Sequence, residues 1–316
     1  MFNIVEKRKW YFLLSACVIG AGLVAMIYST ITVGSPVRLS IDFTGGSLFV
    51  LKFQEPTSEE AIRAVFVQFG SSNPTVQRLG RPEDNLWQVR TSYIEADKVP
   101  ELEAALSEQV APLIKEASSY DTVSPAIGGE VTRAATIAVL IASLAILGFI
   151  VIAFRQVPNA FRYGVCAILA MVHDILVALG FFSIMGLIRA WEVDALFLTA
   201  ILTVIGFSVQ DTIVVFDRIR ENIRKRRGEP FETVVNRSIL ETIHRSLATQ
   251  LNAIFVMIAI LLFGGTSIKQ FIATMLVGMV SGTYSSIFTA IPLLVVWEKG
   301  ELGQFFRKVL RRRAPA

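Results

Sequence analysis

A single carboxylate, Asp211, interrupts a stretch of sequence that is otherwise long and apolar enough to cross a bilayer. Residues 195–216 read ALFLTAILTVIGFSVQDTIVVF, and Asp211 carries the only charge among them. About 20 apolar residues span the hydrocarbon as a helix, and a carboxylate at the centre of such a helix costs about 2.5–3.5 kcal/mol on insertion scales. Carboxylates in this setting usually face a bundle interior or a wet cavity and move protons or ions. The sequence therefore predicts a proton carrier at Asp211, with a polar bridge between helices as the alternative.

Polar residues near Asp211 could assist it. Helical spacing places Ser208 and Thr212 on its face, where a hydroxyl can bond a carboxylate or hold a water. Gln210 and Asp217 are weaker candidates. Asp217 stands at the polar end of the run beside arginines, which favours an interfacial ion pair.

His173 and Asp174 form a second pair of chemically capable residues, near the middle of another apolar run. Both are costly there, so a place in the proton path and a structural bond between helices are both open to them. Adjacent helical residues point about 100° apart, so the two need not bond each other.

Other chemistry has little support in the sequence. Cys17 and Cys166 both lie in apolar runs, which argues against a structural disulfide, and two isolated histidines do not make a metal cluster. No nucleophile–base set or phosphate loop is present, so we expect neither an enzyme nor a cofactor.

Composition predicts a polytopic α-helical membrane protein. Hydrophobic residues make up 53% of the 316-residue chain and charged residues 18%, against about 25% charge in soluble domains, and the mean hydropathy is +0.57. Six apolar runs are expected to be transmembrane helices, at 10–32, 132–154, 161–187, 195–217, 246–264 and 270–297.

Basic residues predict the orientation of these runs. They cluster before the first run, between the second and third, between the fourth and fifth, and after the sixth. The positive-inside rule then makes both termini cytoplasmic, and the net charge of +4 indicates topology rather than a nucleic-acid partner. The predicted domains are the N-terminus with the first helix at 1–33, an extracytoplasmic domain at 34–128, a helix bundle at 129–297 containing a cytoplasmic basic segment at 218–245, and a cytoplasmic basic tail at 298–316.

The extracytoplasmic segment is predicted to fold as a small α+β, ferredoxin-like domain. Alternation predicts strands at 37–43 and 47–53, joined by a turn at Thr44-Gly45-Gly46. A helix is expected to open at Ser58, and Gly128-Gly129 suggests a hinge-like exit towards the second apolar run. The remaining elements are strands at 74–79 and 85–93, a helix at 97–116 and a last strand at 119–124.

Two further patterns concern packing and the membrane surface. Gly278 and Gly282 belong to a stripe of small residues in the sixth run, which predicts a close helix–helix contact, against the fourth run or against a partner. Within 218–245, residues 224–230 predict a helix end, a turn and a new helix. This segment suits a basic helix pair facing lipid, with a docking surface for a cytosolic partner as the alternative.

Four stretches resemble the SecF family, membrane subunits of the bacterial Sec protein-export machinery. The most specific is DTIVVFDRIREN at 211–222. The others follow the family's order along the chain: IDFTGG at 41–46, VHDI at 172–175 followed by LGFF at 179–182, and GTYSSIFTA at 282–290.

The resemblance implies more than the residues do by themselves. It implies a multi-pass protein of the bacterial inner membrane that pairs with SecD and uses the proton-motive force to promote preprotein translocation on the outer side. SecYEG, YajC-like and YidC-like proteins, preproteins and membrane lipids are the implied partners. It also makes Arg245 an essential arginine of the proton pathway, whose approach would stabilise the ionised form of Asp211. The alternative role for Arg245 is that of an interfacial arginine whose side chain snorkels to the membrane surface. For the whole chain, the alternatives are half of a small-molecule or lipid exporter of the same superfamily, or a structural scaffold.

Overall fold

The computed structural model describes residues 3–71, 74–157, 159–265 and 268–301. It divides the chain into two compact units, Leu39–Ile137 and the residues before and after them. Most of the predicted basic tail, residues 302–316, lies outside the described residues.

The elements follow one another along the chain with short connections. In order they are α1 (Arg8–Val33), α2 (Ile41–Thr44), β1 (Gly46–Lys52), α3 (Glu59–Gln68), β2 (Thr75–Leu79), β3 (Leu86–Thr91), α4 (Val99–Gln109), β4 (Ser119–Val123), α5 (Pro125–Ala153), α6 (Ala160–Arg189), α7 (Ala195–Lys225), α8 (Phe231–Phe263), α9 (Lys269–Ser285), a π-helical turn (Ser286–Ala290) and α10 (Ile291–Glu298).

Six helices in the described part of the chain are long and apolar enough to cross a membrane, which confirms the predicted class. They are α1, α5, α6, α7, α8 and the continuous Lys269–Glu298 stretch formed by α9, the π-helical turn and α10. The fifth of them begins well before the predicted start at residue 246, at Phe231. Its added turns are held by burial of Val235 and Ile239 and by Asn222 Nδ2 of α7, which donates to Ser238 Oγ of α8 at 3.0 Å.

The unit Leu39–Ile137 contains a four-stranded antiparallel sheet with strand order β2-β3-β1-β4. With α3 between β1 and β2 and α4 between β3 and β4, this is the predicted ferredoxin-like arrangement. Its core joins alternate residues of β1 to one face of each helix, including Phe49, Leu51, Phe66 and Leu102. The helix predicted at Ser58 is capped there, because Ser58 Oγ accepts from the backbone N–H of Ala61 at 3.2 Å.

The strand predicted at 37–43 is wrong, because its second half is the short helix α2. Ser40 caps this helix by accepting from the backbone N–H of Asp42, which competes successfully with the alternating pattern. Gly45 and Gly46 then lead into β1 with φ of 70° and 123°, values that favour glycine. A Cβ on Gly46 would also lie 2.6 Å from the carbonyl oxygen of Thr91.

Gly128 and Gly129, where a hinge-like exit from the domain is predicted, both lie inside α5. A Cβ on Gly128 would lie 2.7 Å from the backbone nitrogen of Gly45 and 3.0 Å from the carbonyl oxygen of Phe43, whereas a Cβ on Gly129 would meet nothing within 4 Å. Close packing therefore explains glycine at 128, and a hinge at this pair stays a prediction.

Candidate functional site

Asp211 lies in the interior of the helical unit, where α7 faces α8. Asp211 is only 6% exposed, and its Oδ2 accepts a hydrogen bond from Gln250 Nε2 of α8 at 2.7 Å. Gln250 and Ser246, one helical turn apart on α8, are themselves buried. Among the described residues, Gln250 Oε1 and Ser246 Oγ have no hydrogen-bond partner. The Asp211 site thus retains hydrogen-bonding capacity that no group in the described part of the chain uses.

Asp174 is in the opposite situation, because its carboxylate is surrounded by donors. The residue is 0% exposed. Oδ2 accepts from Ser208 of α7 at 2.6 Å and Ser285 of α9 at 2.8 Å, and Oδ1 accepts from Ser281 of α9 at 2.7 Å. One buried carboxylate therefore ties α6, α7 and α9 together. An ionised carboxylate can accept all of these bonds at once.

His173 bonds its neighbour after all. Its Nδ1 lies 3.1 Å from Asp174 Oδ1, and its Nε2 lies 3.1 Å from Ser15 Oγ of α1. A neutral imidazole satisfies both contacts when Nδ1–H donates to Asp174 and Nε2 accepts from the Ser15 hydroxyl. Ser15 Oγ is in turn 3.2 Å from Thr289 Oγ1 in the π-helical turn. The polar cluster around Asp174 therefore reaches α1 as well.

Ser208 and Thr212 belong to the polar cluster around Asp174. Their spacing in the sequence had placed them on the face of α7 that carries Asp211. Ser208 donates to Asp174, and Thr212 Oγ1 donates to Ser286 Oγ at 3.0 Å. Ser286 Oγ then donates to the carbonyl oxygen of Ser208 at 2.8 Å. Because Ser208 and Asp211 are three residues apart on α7, the Asp174 cluster fixes the turn of α7 that carries Asp211.

Arg245 is not brought to Asp211. It lies exposed on α8, five residues before Gln250, and it forms no ion pair with any residue that the structure describes. Gln210 is also exposed. Asp217 pairs with Arg220 at 2.5 Å on the same helix, with 56% of its side chain exposed, as its position at the polar end of the run suggested.

The glycines of the sixth run pack against α7 of the same chain. A Cβ on Gly278 would lie 2.5 Å from a methyl group of Val204, and one on Gly282 would lie 3.0 Å from Cβ of Ser208. This seam brings α9, with Ser281 and Ser285, close enough to α7 for both helices to reach Asp174.

Three residues of these buried polar sites were not predicted from the sequence: Gln250, Ser246 and Ser15. Their only signal is polarity at buried positions of an apolar helix, with the spacing of four between Ser246 and Gln250 that places both on one face. Many serines share that signal, and the partner across the helix interface is not encoded locally.

Comparison with known proteins identifies the chain's family. A family model described as "Protein export membrane protein SecD/SecF, C-terminal" matches residues 103–300, and one described as "SecD/SecF GG Motif" matches residues 30–57. A protein translocase subunit SecF from Thermobaculum terrenum is 43% identical, with 98% of each chain covered. The chain belongs to the SecF family. A second SecF protein, from Anaerolinea thermophila, is 45% identical, again with 98% of each chain covered.

The SecF match also extends to longer proteins in which this chain corresponds to one part. SecDF from Bacillus subtilis is 32% identical over 95% of this chain, which corresponds to 39% of that protein. The crystal structure of SecDF from Thermus thermophilus superposes with a TM-score of 0.76 at 30% identity, covering 94% of this chain and 39% of that one. SecF-family sequences thus occur both alone and joined to a SecD part, which indicates SecD as the partner of this chain.

Proposed function

We propose that this chain is the SecF half of an inner-membrane complex that, with SecD, uses the proton-motive force to promote preprotein translocation on the outer side of the membrane. The contrast between the two buried carboxylates carries the proposal. Asp174 has its full set of donors, whereas Asp211 has one, beside two buried polar atoms without partners in the described chain. A group that must gain and lose a proton needs such spare capacity.

Gln250 suits both protonation states of Asp211. Its Nε2 donates to the ionised carboxylate, and after a turn of the amide its Oε1 can accept from the protonated one. Gln250 can therefore hydrogen-bond Asp211 in both of its charge states. Entry and exit of the proton would follow the buried hydroxyl of Ser246 and water beside it.

Arg245 would act in another state of the transport cycle. Its fixed positive charge favours ionised Asp211 when the two are close. Since α8 presents Arg245 outwards here, its approach requires a rotation or slide of α8 against α7. Such a movement would link proton release to a change in the bundle that reaches the outer domain.

The surface of α7 and α8 supports a partner in the membrane. Gln210 and Asn252 are exposed within apolar helices, Arg245 is exposed at the polar end of the same face, and none has a side-chain bond to the residues that the structure describes. An amide facing hydrocarbon is costly, so SecD is the proposed cover for this face. SecYEG, with YajC-like and YidC-like proteins, and membrane lipids would complete the assembly, with both termini of this chain in the cytoplasm.

Reconstitution tests the proposal. The chain, its SecD partner and the translocon are placed in vesicles, and the yield of translocated preprotein is measured with and without an imposed proton gradient. We expect the gradient to raise the yield only when both subunits are present, and a protonophore to abolish the gain. A gain from a sodium gradient alone would assign a different coupling ion, and equal yields without the chain would refute the proposal.

A further inference from the structure

The helical unit contains a cavity of about 520 Å³ at the end where α5 connects to α6, α7 connects to α8, and α10 terminates. Its lining contains both apolar and charged residues. The apolar side chains are those of Val157, Tyr163, Ile223, Phe231 and Val234. By the distribution of basic residues this is the cytoplasmic end, and Tyr163 stands beside Arg162 where α6 turns from polar to apolar. The cavity therefore lies at the level of the lipid headgroups.

The charged residues of the lining carry both signs. Arg226, Arg227 and Lys299 are the cations, and Glu229 and Glu298 are the anions. Arg226 pairs with Glu229 at 3.3 Å, and Lys299 reaches outside the lining to Glu232 at 2.6 Å. Arg227 has no ion-pair partner within the described ranges, so at least one cation is available to an anionic group.

Each glutamate of the cavity has one oxygen paired and one unpaired. Glu229 Oε1 accepts from Arg226 and Arg237, both at 3.3 Å, and Glu298 Oε2 pairs with Arg162 at 2.9 Å. Glu229 Oε2 and Glu298 Oε1 are buried and have no hydrogen-bond partner among the described residues. A buried carboxylate oxygen without a donor is costly, so these two oxygens call for a ligand that offers N–H or O–H groups.

We propose that this cavity binds phosphoethanolamine, as the headgroup of a phosphatidylethanolamine lipid. The phosphate accepts hydrogen bonds from the guanidinium groups of Arg226 and Arg227. The primary ammonium donates to Glu229 Oε2 and Glu298 Oε1. The apolar lining residues contact the glycerol and the first methylenes of the acyl chains. A purely anionic headgroup would satisfy the arginines but offer no donor to Glu229 Oε2 or Glu298 Oε1.

A lipid series that removes N–H donors at constant charge tests the proposal on the unmodified chain. The purified full-length protein in detergent receives phosphatidylethanolamine, its N-methyl and N,N-dimethyl derivatives, or phosphatidylcholine with the same acyl chains, and native mass spectrometry counts the bound lipid. We expect binding to fall stepwise, by about tenfold across the series. Equal binding of phosphatidylcholine, or tighter binding of phosphatidylglycerol, would overturn the proposal.

A matched pair of variants locates the site. Glu298→Gln removes the charge of one acceptor in the cavity, and Glu301→Gln makes the same change three residues away, where the carboxylate pairs with Arg8 outside it. We expect Glu298→Gln to abolish the preference for ethanolamine over choline and Glu301→Gln to retain it, with thermal unfolding confirming that both are folded. Equal loss in both variants would place the preference elsewhere. Displacement of the lipid by free phosphoethanolamine at equal concentration would assign the cavity to a soluble ligand instead.

Discussion

Asp174 and Asp211 are both carboxylates buried within apolar helices, yet their surroundings suit them to different tasks. Three serine hydroxyls and His173 converge on Asp174. Such a set of bonds, which ties α6 to α7 and α9, suits an anchor between helices. Among the described residues, Asp211 accepts one side-chain hydrogen bond within 3.5 Å, from Gln250, whose amide can serve either charge state.

The anchor role of Asp174 predicts a loss of stability on substitution. Asp174→Asn keeps the size but turns an amide NH₂ towards groups that donate, so about 2–4 kcal/mol of the free energy of unfolding should be lost. Denaturant unfolding in detergent measures it.

Asp217→Asn is the matched control for the anchor, because Asp217 is exposed on the same bundle and should change stability by less than about 0.5 kcal/mol. An Asp174→Asn protein that is as stable as the parent but shows a shifted pH dependence of export would make Asp174 a relay residue instead.

At the scale of elements, glycine contacts decide how closely the helices approach. Gly278 and Gly282 were visible in the sequence as a stripe, but the contact of Gly22 in α1 with Gly180 in α6 was not, although a Cβ on either would lie within 3 Å of the other's Cα. In the domain, Gly128 is pressed against the backbone of residues 43–45.

The two glycines of α5 give a prediction that separates packing from a hinge. Gly128→Ala places a methyl group against backbone atoms that cannot move aside, and should destabilise the domain by about 1–3 kcal/mol. Gly129→Ala meets open space in a helix and should be neutral or stabilising by up to about 1 kcal/mol. Unfolding of both variants, with export measured alongside, is the test. Stable variants that both lose gradient-dependent export would support a hinge.

The sequence predicted the elements better than their contacts, and there is a physical reason. Six apolar runs and the βαββαβ order arise from periodicities that each segment carries by itself. The α2 helix was not predicted because a local helix cap at Ser40 outweighed the alternating pattern that indicated a strand. The site residues Gln250, Ser246 and Ser15 were not predicted because the role of a buried polar residue depends on its partner on another helix. That pairing is a property of the packed bundle.

At the scale of the whole molecule, the proposed function requires the helix bundle to have one fixed orientation in the membrane. Glu83 lies in the domain at an exposed loop, and Lys225 lies exposed at the end of α7. With Cys17 and Cys166 replaced by alanine, Glu83→Cys should react with an impermeant thiol reagent from outside the cell and Lys225→Cys only after permeabilisation. The reverse pattern would invert the topology and place the domain in the cytoplasm.

If titration of Asp211 couples the proton gradient to export, loss of this carboxylate should have a different effect from loss of an exposed carboxylate on the same helix. Gradient-dependent preprotein translocation is measured in vesicles carrying the SecD partner with either Asp211→Asn or Asp217→Asn in this chain. Both changes remove a carboxylate from α7, but only the first lies in the buried site. We expect the Asp211→Asn protein to fall to the yield seen without a gradient while still folding and binding SecD, and the Asp217→Asn protein to keep most of the gradient-dependent gain. A full gradient-dependent gain in the Asp211→Asn protein would exclude Asp211 as the proton carrier.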